Sequence, residues 1–487
     1  MVKINKLSNI KFINSSGFHN TILFIAVIVT QFSSINIEVI DWDESTFFII
    51  SKYISNGQIL YVDYWDGKPP MVFFYLGIVF KLFGSSLLVG RVAGDVLIAL
   101  TVYFVYKILS FFYSNQICFY SSLFLVYLFS YEASQPTMTE HLGILFVMVS
   151  MFLVFKNDNP KNLFLIGFFF SLSFNTRNNL AFASLAIVLY LLFIKKTHIY
   201  RFFWVTAGFL APLVIISIYF RGNLNHYLYM LLEYPFQTTQ SYRMNFEEFS
   251  LQVLQKLNLD QIISIELIII LILAFTLIFL STNFSMLINQ NLIILNLLSI
   301  LFITVSIIFG GRLFNHYLIQ LFPFISIIFA STLNLINKYK IVKIFLFSFT
   351  ILININLFIS GLNNFYDYQN IKDNYKIENI SSNLKLTNKT TFLALENHLI
   401  YFYNDGIKPF KVVHPSGLPN TERSKDIFKS LEKLGVVQNN EFQNYVQKKP
   451  DYIFCEIECE LYIEKSFYEE FYFLLDESSN LKLFQKK

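Results

Sequence analysis

Residues 262–280 read IISIELIIILILAFTLIFL, with Glu266 their only charge, and residues 313–333 read LFNHYLIQLFPFISIIFASTL. A run of about 18 or more predominantly apolar residues is long enough to cross a bilayer core as a helix. Working outward, comparable runs cover roughly 21–40, 89–111, 116–132, 140–155, 162–176, 180–194, 201–220, 291–309 and 341–360, and a shorter one covers 70–84. Of the 487 residues, 55% are hydrophobic, 18% aromatic and only 14% charged, with mean hydropathy +0.51. Soluble domains carry about 25% charged residues. A disordered chain, a disulfide scaffold and an ordinary cytosolic enzyme are therefore excluded. The expected fold class is an all-α polytopic membrane protein with a small soluble domain of α/β character after Gly361, where charges return and apolar runs shorten. In that domain 391–394, 411–413 and 451–454 read as strands, and 424–433 and 440–447 as helices.

The net charge of +4 is too weak and dispersed for nucleic acid. Lys3, Lys6 and Lys11 precede an apolar stretch with no small-residue cleavage site after it, which reads as an uncleaved first span. Cys118 lies inside a span; Cys455 and Cys459 fit no zinc signature, and a bond between them stays open if their domain is periplasmic.

Topology turns on 70–84, a short segment that opens with Pro69-Pro70 and carries Lys81. Suppose it lies along the outer surface as an amphipathic helix. Then Lys107, Lys156 with Lys161, Lys195 with Lys196, and Lys338 with Lys340 and Lys343 all fall in the cytoplasm, as the positive-inside rule asks. If it crosses, every cluster flips. The preferred reading is about 11 transmembrane helices over 1–360, with external loops at 41–88 and 221–260. It puts the N-terminus in the cytoplasm and domain 361–487 in the periplasm, across a bacterial cytoplasmic (inner) membrane.

That parity gathers Asp41, Asp43, Glu44, Asp63, Asp66, Lys68, Glu140, Arg177, Arg312 and His316 on or near the outer face, although none of them was used to set it. Charges beside spans are costly and point to function. Asp43 and Glu44, in DWDES at 41–45, are placed to take a proton from a hydroxyl, but the same residues suit a helix N-cap. Lys68, before Pro69-Pro70, suits a phosphate at a helix start or a lipid headgroup. Glu140 opens a span, where a carboxylate is favourable in any case. Arg177 occupies a short turn, FNTRNNLA, on the side where positive charge is disfavoured. Arg312 and His316 share a helical face if the helix has begun, and Tyr317 follows in the aromatic belt. Asp95, four residues after Arg91, is its expected partner. The long 221–260 loop is expected to hold short surface helices. No P-loop, GxSxG, HExxH or dinucleotide glycine fingerprint occurs.

Together, the DWDES loop, YWDGKPP at 64–70, Glu140, the Arg177 turn and GRLFNHYLIQLFP at 311–323 resemble the membrane glycosyltransferases of the GT-C fold. Within that fold they are similar to the bacterial branch of protein O-mannosyltransferases, lipid A aminoarabinose transferases and the RgtA/B/C/D-like group. The resemblance covers roughly 15–360; ALENHLIYFYNDGIKPFKVVHP at 394–415 and KPDYIF at 449–454 also look like that group's external domain. It implies a polyprenyl-phosphate-linked sugar donor and a lipid, glycan or protein acceptor. It implies Asp43 as general base with Glu44 in support, and Lys68, Arg177, Arg312 and His316 at the donor phosphate. Asp41, Asp66, Glu140 and Tyr317 would support them. Some relatives place a metal-binding glutamate before the Lys-Pro-Pro lysine, where this chain has Gly67, with Asp66 one earlier. The metal is thus left open: no cofactor is required, and a divalent ion is not excluded by the residues. The rival reading is a transporter or flippase of lipid-linked saccharide, which calls for charges at mid-bilayer.

Overall fold

A computed structural model of the chain describes residues 15–35, 37–130, 135–241, 290–310, 314–336, 355, 359, 377–384, 390–395, 398–415, 418, 422–438, 440–455, 463–477 and 482–487. The expected span at 261–281 lies outside the described residues. So do Arg312, Cys459, Gly361 and, apart from Ile355 and Ile359, the expected span at 341–360. The chain clusters into two units. One comprises 1–34, 94–216 and 242–364; the other comprises 35–93, 217–241 and 365–487.

The first unit is helical. It contains α1 (Ser16–Gln31), most of α4 (Leu87–Leu109), α5 (Asn115–Phe129), α6 (Thr139–Lys156), α7 (Pro160–Phe174), α8 (Ala181–Leu189, prolonged by a π-turn to Ile194), α9 (Phe202–Tyr219) up to Ile216, α12 (Gln290–Phe309) and α13 (Phe322–Ile336). These helices coincide with the expected spans that fall on described residues, and α4, α6, α9 and α12 belong to segments long and apolar enough to cross a membrane. Burial in α5 is all-round rather than on one stripe: Ile117, Cys118 and every residue from Ser121 to Phe129 are buried. Two glycines set the tightest helix contact. A Cβ on Gly167 in α7 would lie 1.9 Å from the Val205 carbonyl oxygen of α9, and one on Gly208 would lie 1.9 Å from the Phe164 carbonyl oxygen of α7. Helix α13 begins at Phe322, later than the apolar run, because Asn315–Gln320 is a separate 3₁₀ turn. Pro323 fits at the second helical residue, where its missing N–H costs nothing.

The second unit joins the first loop to the C-terminal region. Helix α2 (Trp42–Ser55) packs on α3 (Met71–Phe83). Asp41 caps α2, accepting from the Asp43 N–H at 2.7 Å, and Ser45 to Tyr53 are buried. Helix α3 buries Val72, Phe73, Leu76 and Phe80 and leaves Ile78, Leu82 and Phe83 exposed, an apolar two-sidedness suited to a lipid boundary. The 221–260 loop contributes α10 (Leu224–Leu228), a π-turn over Tyr229–Glu233 and α11 (Tyr234–Ser241).

Beyond residue 376 come α14 (Ile377–Asn383), α15 (Ile400–Tyr403), α16 (Glu422–Lys433), α17 (Glu441–Gln447) and α18 (Lys465–Phe471). They accompany a four-stranded sheet of order β1-β2-β4-β3, with β1 (Phe392–Ala394), β2 (Tyr452–Cys455), β3 (Tyr472–Glu477) and β4 (Lys482–Lys486). Strand β1 runs parallel to β2, pairing Phe392 with Tyr452; β4 is antiparallel to both β2 and β3. The expected strand at 411–413 is not in this sheet: Val412 makes an isolated bridge to Trp65. Cys455 is disulfide-bonded and Cys118 is a free, buried thiol. The first loop is fastened to the C-terminal region at several points. Glu38 caps α14, accepting from the Ile377 and Glu378 N–H groups at 2.7 Å each. Lys52 donates to the Phe402 carbonyl and pairs with Asp405, and Tyr53 donates to the Ile407 carbonyl.

Candidate active site

In the second unit the start of α2 and the turn before α3 bring opposite charges together. Asp43 and Glu44 are consecutive, so they leave the helix about 100° apart, given 3.6 residues per turn. Asp43 turns toward the loop, where Lys68 Nζ donates to its Oδ2 at 2.8 Å. Glu44 turns inward. Its carboxylate is gripped by Arg91 through Nε at 3.2 Å and Nη2 at 2.7 Å, and the same guanidinium donates to the Ile35 and Ile37 carbonyls. The spacing pointed Arg91 at Asp95; the two-nitrogen grip is on Glu44.

The loop itself is tightly folded. Asp63 accepts from the Ile59 N–H at 2.6 Å, Tyr61 sits at φ 64°, and its hydroxyl donates to the Lys68 carbonyl at 2.6 Å. Trp65 then pairs in the manner of a strand. Its N–H donates to the Lys411 carbonyl at 2.7 Å, and the Val413 N–H donates to the Trp65 carbonyl at 3.2 Å. That pairing carries His414 to the site, where its Nε2 lies 3.0 Å from Asp43 Oδ1. The Trp42 and His398 rings flank it, and Thr46 Oγ1 lies 2.8 Å from His398 Nε2.

The electrostatics follow from this crowding. Burial raises Asp66 above the usual aspartate range, opposed by His414 and Lys68. Burial, then the neighbouring Asp43, raises Asp41. Burial alone would lower His414, but its hydrogen bond to Asp43 and the charges of Asp43 and Asp66 outweigh that and raise it. A Cβ at Gly67 would lie 2.3 Å from Tyr234 Oη, so a glutamate there would have to displace that ring. Among the described residues no group of three or more His, Cys, Asp or Glu side chains is arranged to hold a metal ion.

The first unit holds a separate cluster. Glu140, fully buried in the first turn of α6, pairs with Arg177 Nη2 at 2.9 Å and lies 3.8 Å from His316 Nε2. Thr139 Oγ1 accepts from Arg177 Nη1 at 3.2 Å and donates to Glu140 Oε2 at 3.0 Å. The guanidinium lies 4.7 Å from the centre of the Tyr317 ring. Four residues singled out from widely separated stretches, Glu140, Arg177, His316 and Tyr317, therefore meet. Sequence reasoning missed His414, Thr139 and the Glu44–Arg91 pair. The signal for His414 was present in KVVHP, a strand-like triplet that ends in a titratable residue.

The profile of the dolichyl-phosphate-mannose-protein mannosyltransferase family, PMT_2, matches residues 67–220. No curated protein matches the chain. Among solved structures, ArnT from Cupriavidus metallidurans in the apo state superposes with a TM-score of 0.68 at 11% identity, covering 96% of this chain and 98% of that one. The same protein bound to undecaprenyl phosphate superposes with a TM-score of 0.61 at 12% identity and the same coverage. The chain thus has the ArnT-like fold of a multi-pass membrane protein and resembles the GT-C membrane glycosyltransferases.

Proposed function

We propose that this protein is an integral-membrane glycosyltransferase that moves a sugar from a polyprenyl-phosphate donor to an acceptor hydroxyl on the outer face of the cytoplasmic membrane. The acceptor class is lipid A, a polysaccharide or a protein, and the transfer is a single inverting displacement of a hexosyl or pentosyl group. The observation that carries the reading is the carboxylate of Asp43 with Lys68 on one of its oxygens, at the start of a helix in an ArnT-like fold. A related fold that binds undecaprenyl phosphate makes the donor class the natural one.

The chemistry follows from these groups. The acceptor oxygen attacks the anomeric carbon and its proton passes to Asp43. The bond from that carbon to the phosphate oxygen breaks, and the polyprenyl phosphate leaves with the electron pair. Lys68 swings from Asp43 to the phosphate, where an ammonium meets developing negative charge. The resemblance also assigns Arg177, Arg312 and His316 to the donor phosphate; within the helical unit, Glu140, Thr139 and Tyr317 hold Arg177 in place. Glu44 acts through Arg91 by fixing the first turn of α2, and Asp41 and Asp66 shape the field around Asp43.

The test is transfer from radiolabelled polyprenyl-phosphate sugars to a crude envelope acceptor, using protein in nanodiscs. Asp43→Asn should lower kcat at least about a hundredfold, the lower range for a lost general base. Lys68→Ala should raise the donor KM and lower kcat. Wild-type turnover in Asp43→Asn would sink the assignment. Binding of donor without consumption by the wild type would favour the transporter.

A further inference from the structure

Asp43 is held by two side chains of different kinds. Lys68 carries a point charge on a flexible stem. His414 arrives on a backbone pinned to Trp65 by two hydrogen bonds, with the rings of Trp42 and His398 each 6.4 Å from its ring centre to centre. The two take different oxygens: Lys68 takes Oδ2 at 2.8 Å and His414 takes Oδ1 at 3.0 Å. When Lys68 turns to a phosphate, Oδ2 is opened to an incoming hydroxyl, and the carboxylate needs another tether to keep its orientation.

We propose that His414 is the positioning residue that supplies this tether, so that the C-terminal region completes the transfer site instead of merely covering it. The inference rests on the transferase reading above. The groups facing His414 are Asp43 from α2, Asp66 and Lys68 from the loop before α3, His398 from the segment before α15 and, more remotely, Asp41. Two carboxylates against one lysine favour an imidazolium, and the balance raises His414 above its ordinary value near 6.5 despite burial. The sign follows. The charged tether is complete below about 6.5, the unperturbed histidine value, and is lost as pH rises through the raised folded value.

Two measurements on the full-length protein in nanodiscs decide the matter. The first needs no turnover: the His414 ring is followed by NMR with ¹³C-labelled histidine, assigned by loss of its signal in His414→Gln. Its midpoint should lie above about 6.5 and fall in Asp43→Asn. A midpoint at or below the ordinary value, unmoved by Asp43→Asn, overturns the pairing. The second is transfer against pH. Wild-type kcat should decline on the alkaline side as the ring loses its proton. His414→Gln should be about tenfold to a hundredfold slower, as for a reacting group held out of line. It should lack that alkaline limb while binding polyprenyl phosphate as the wild type does. Wild-type kcat in His414→Gln, or an unchanged limb, overturns the positioning role. A wild type that transfers nothing but shows the expected titration removes the transferase reading and leaves the Asp43–His414 pair standing.

Discussion

Glu44 and Arg91 show what a single residue position decides here. One step along α2 separates a carboxylate facing Lys68 and His414 from one sealed against a guanidinium, with 2% and 0% side-chain exposure for the Glu44–Arg91 pair. Breaking a buried pair by removing one partner leaves an uncompensated charge, at about 3–5 kcal/mol. Arg91→Met should therefore lower the thermal midpoint sharply and reduce yield. The double variant Glu44→Leu with Arg91→Met should recover most of the loss, because both charges leave together. Transfer should recover with the fold in that double variant, since Glu44 is assigned to holding α2. A folded, inactive double variant would return Glu44 to the chemistry. The sequence pointed to Asp43 and Glu44, because charges at a span end are costly. It could not assign them different tasks, because their directions depend on where Arg91 and the 411–414 stretch arrive. Where His414 would arrive was illegible for the same reason. Its partner lies in a distant stretch, and only the Trp65 pairing, which no local pattern announces, brings the two together.

At the scale of elements, the spans were legible because each is a long apolar run, although α1 ends at Gln31, short of the expected 40, and α13 starts at Phe322 instead of 313. Helix α2 was not. Its apolar core, FFII, is only four residues long, too short for a period to show, and its burial comes from α3 and α15. The strand expected at 411–413 has strand-like composition, and its hydrogen bonds go to one residue of a loop, not to the sheet. Strands β3 and β4 fall in charged sequence, where Phe473, Leu474 and Leu475 are exposed and so give no alternation. The α7–α9 contact offers a sharper test. Each Cβ added at Gly167 or Gly208 would meet backbone rather than a movable side chain. Small residues that let helix backbones approach closely are a common means of association in lipid. Gly167→Ala should cost about 1–3 kcal/mol, the range for overpacking, and Gly167→Val more. A melting series in nanodiscs checks this; an unchanged midpoint in Gly167→Val would mean that the two helices separate without cost.

At the scale of the whole chain, orientation is the property most of the proposed chemistry depends on. Within the helical unit, Lys107 and Lys156 close α4 and α6, Lys161 opens α7, and Lys195 follows the turn after α8. Lys195 reaches Asp158 at 2.6 Å, tying two of those connections together. The opposite helix ends carry Glu140, Arg177 and His316, which meet each other. The lysines and the Glu140 cluster thus occupy alternate ends of consecutive helices, the pattern the positive-inside rule makes when the lysines face the cytoplasm. A disulfide at Cys455 agrees with that orientation, because oxidising compartments preserve such bonds and the cytosol reduces them. Alkaline phosphatase fused after Lys487 should then be active and a fused green fluorescent protein dark. A membrane-impermeant maleimide should label cysteine at Asn178, in the Arg177 turn, in intact cells, and should label cysteine at Lys196 only after the membrane is opened. The inverse pattern would put Asp43, Lys68 and His414 in the cytoplasm. It would also remove the reason for a polyprenyl-linked donor, since lipid-linked sugars serve the side of the membrane where soluble nucleotide sugars are absent.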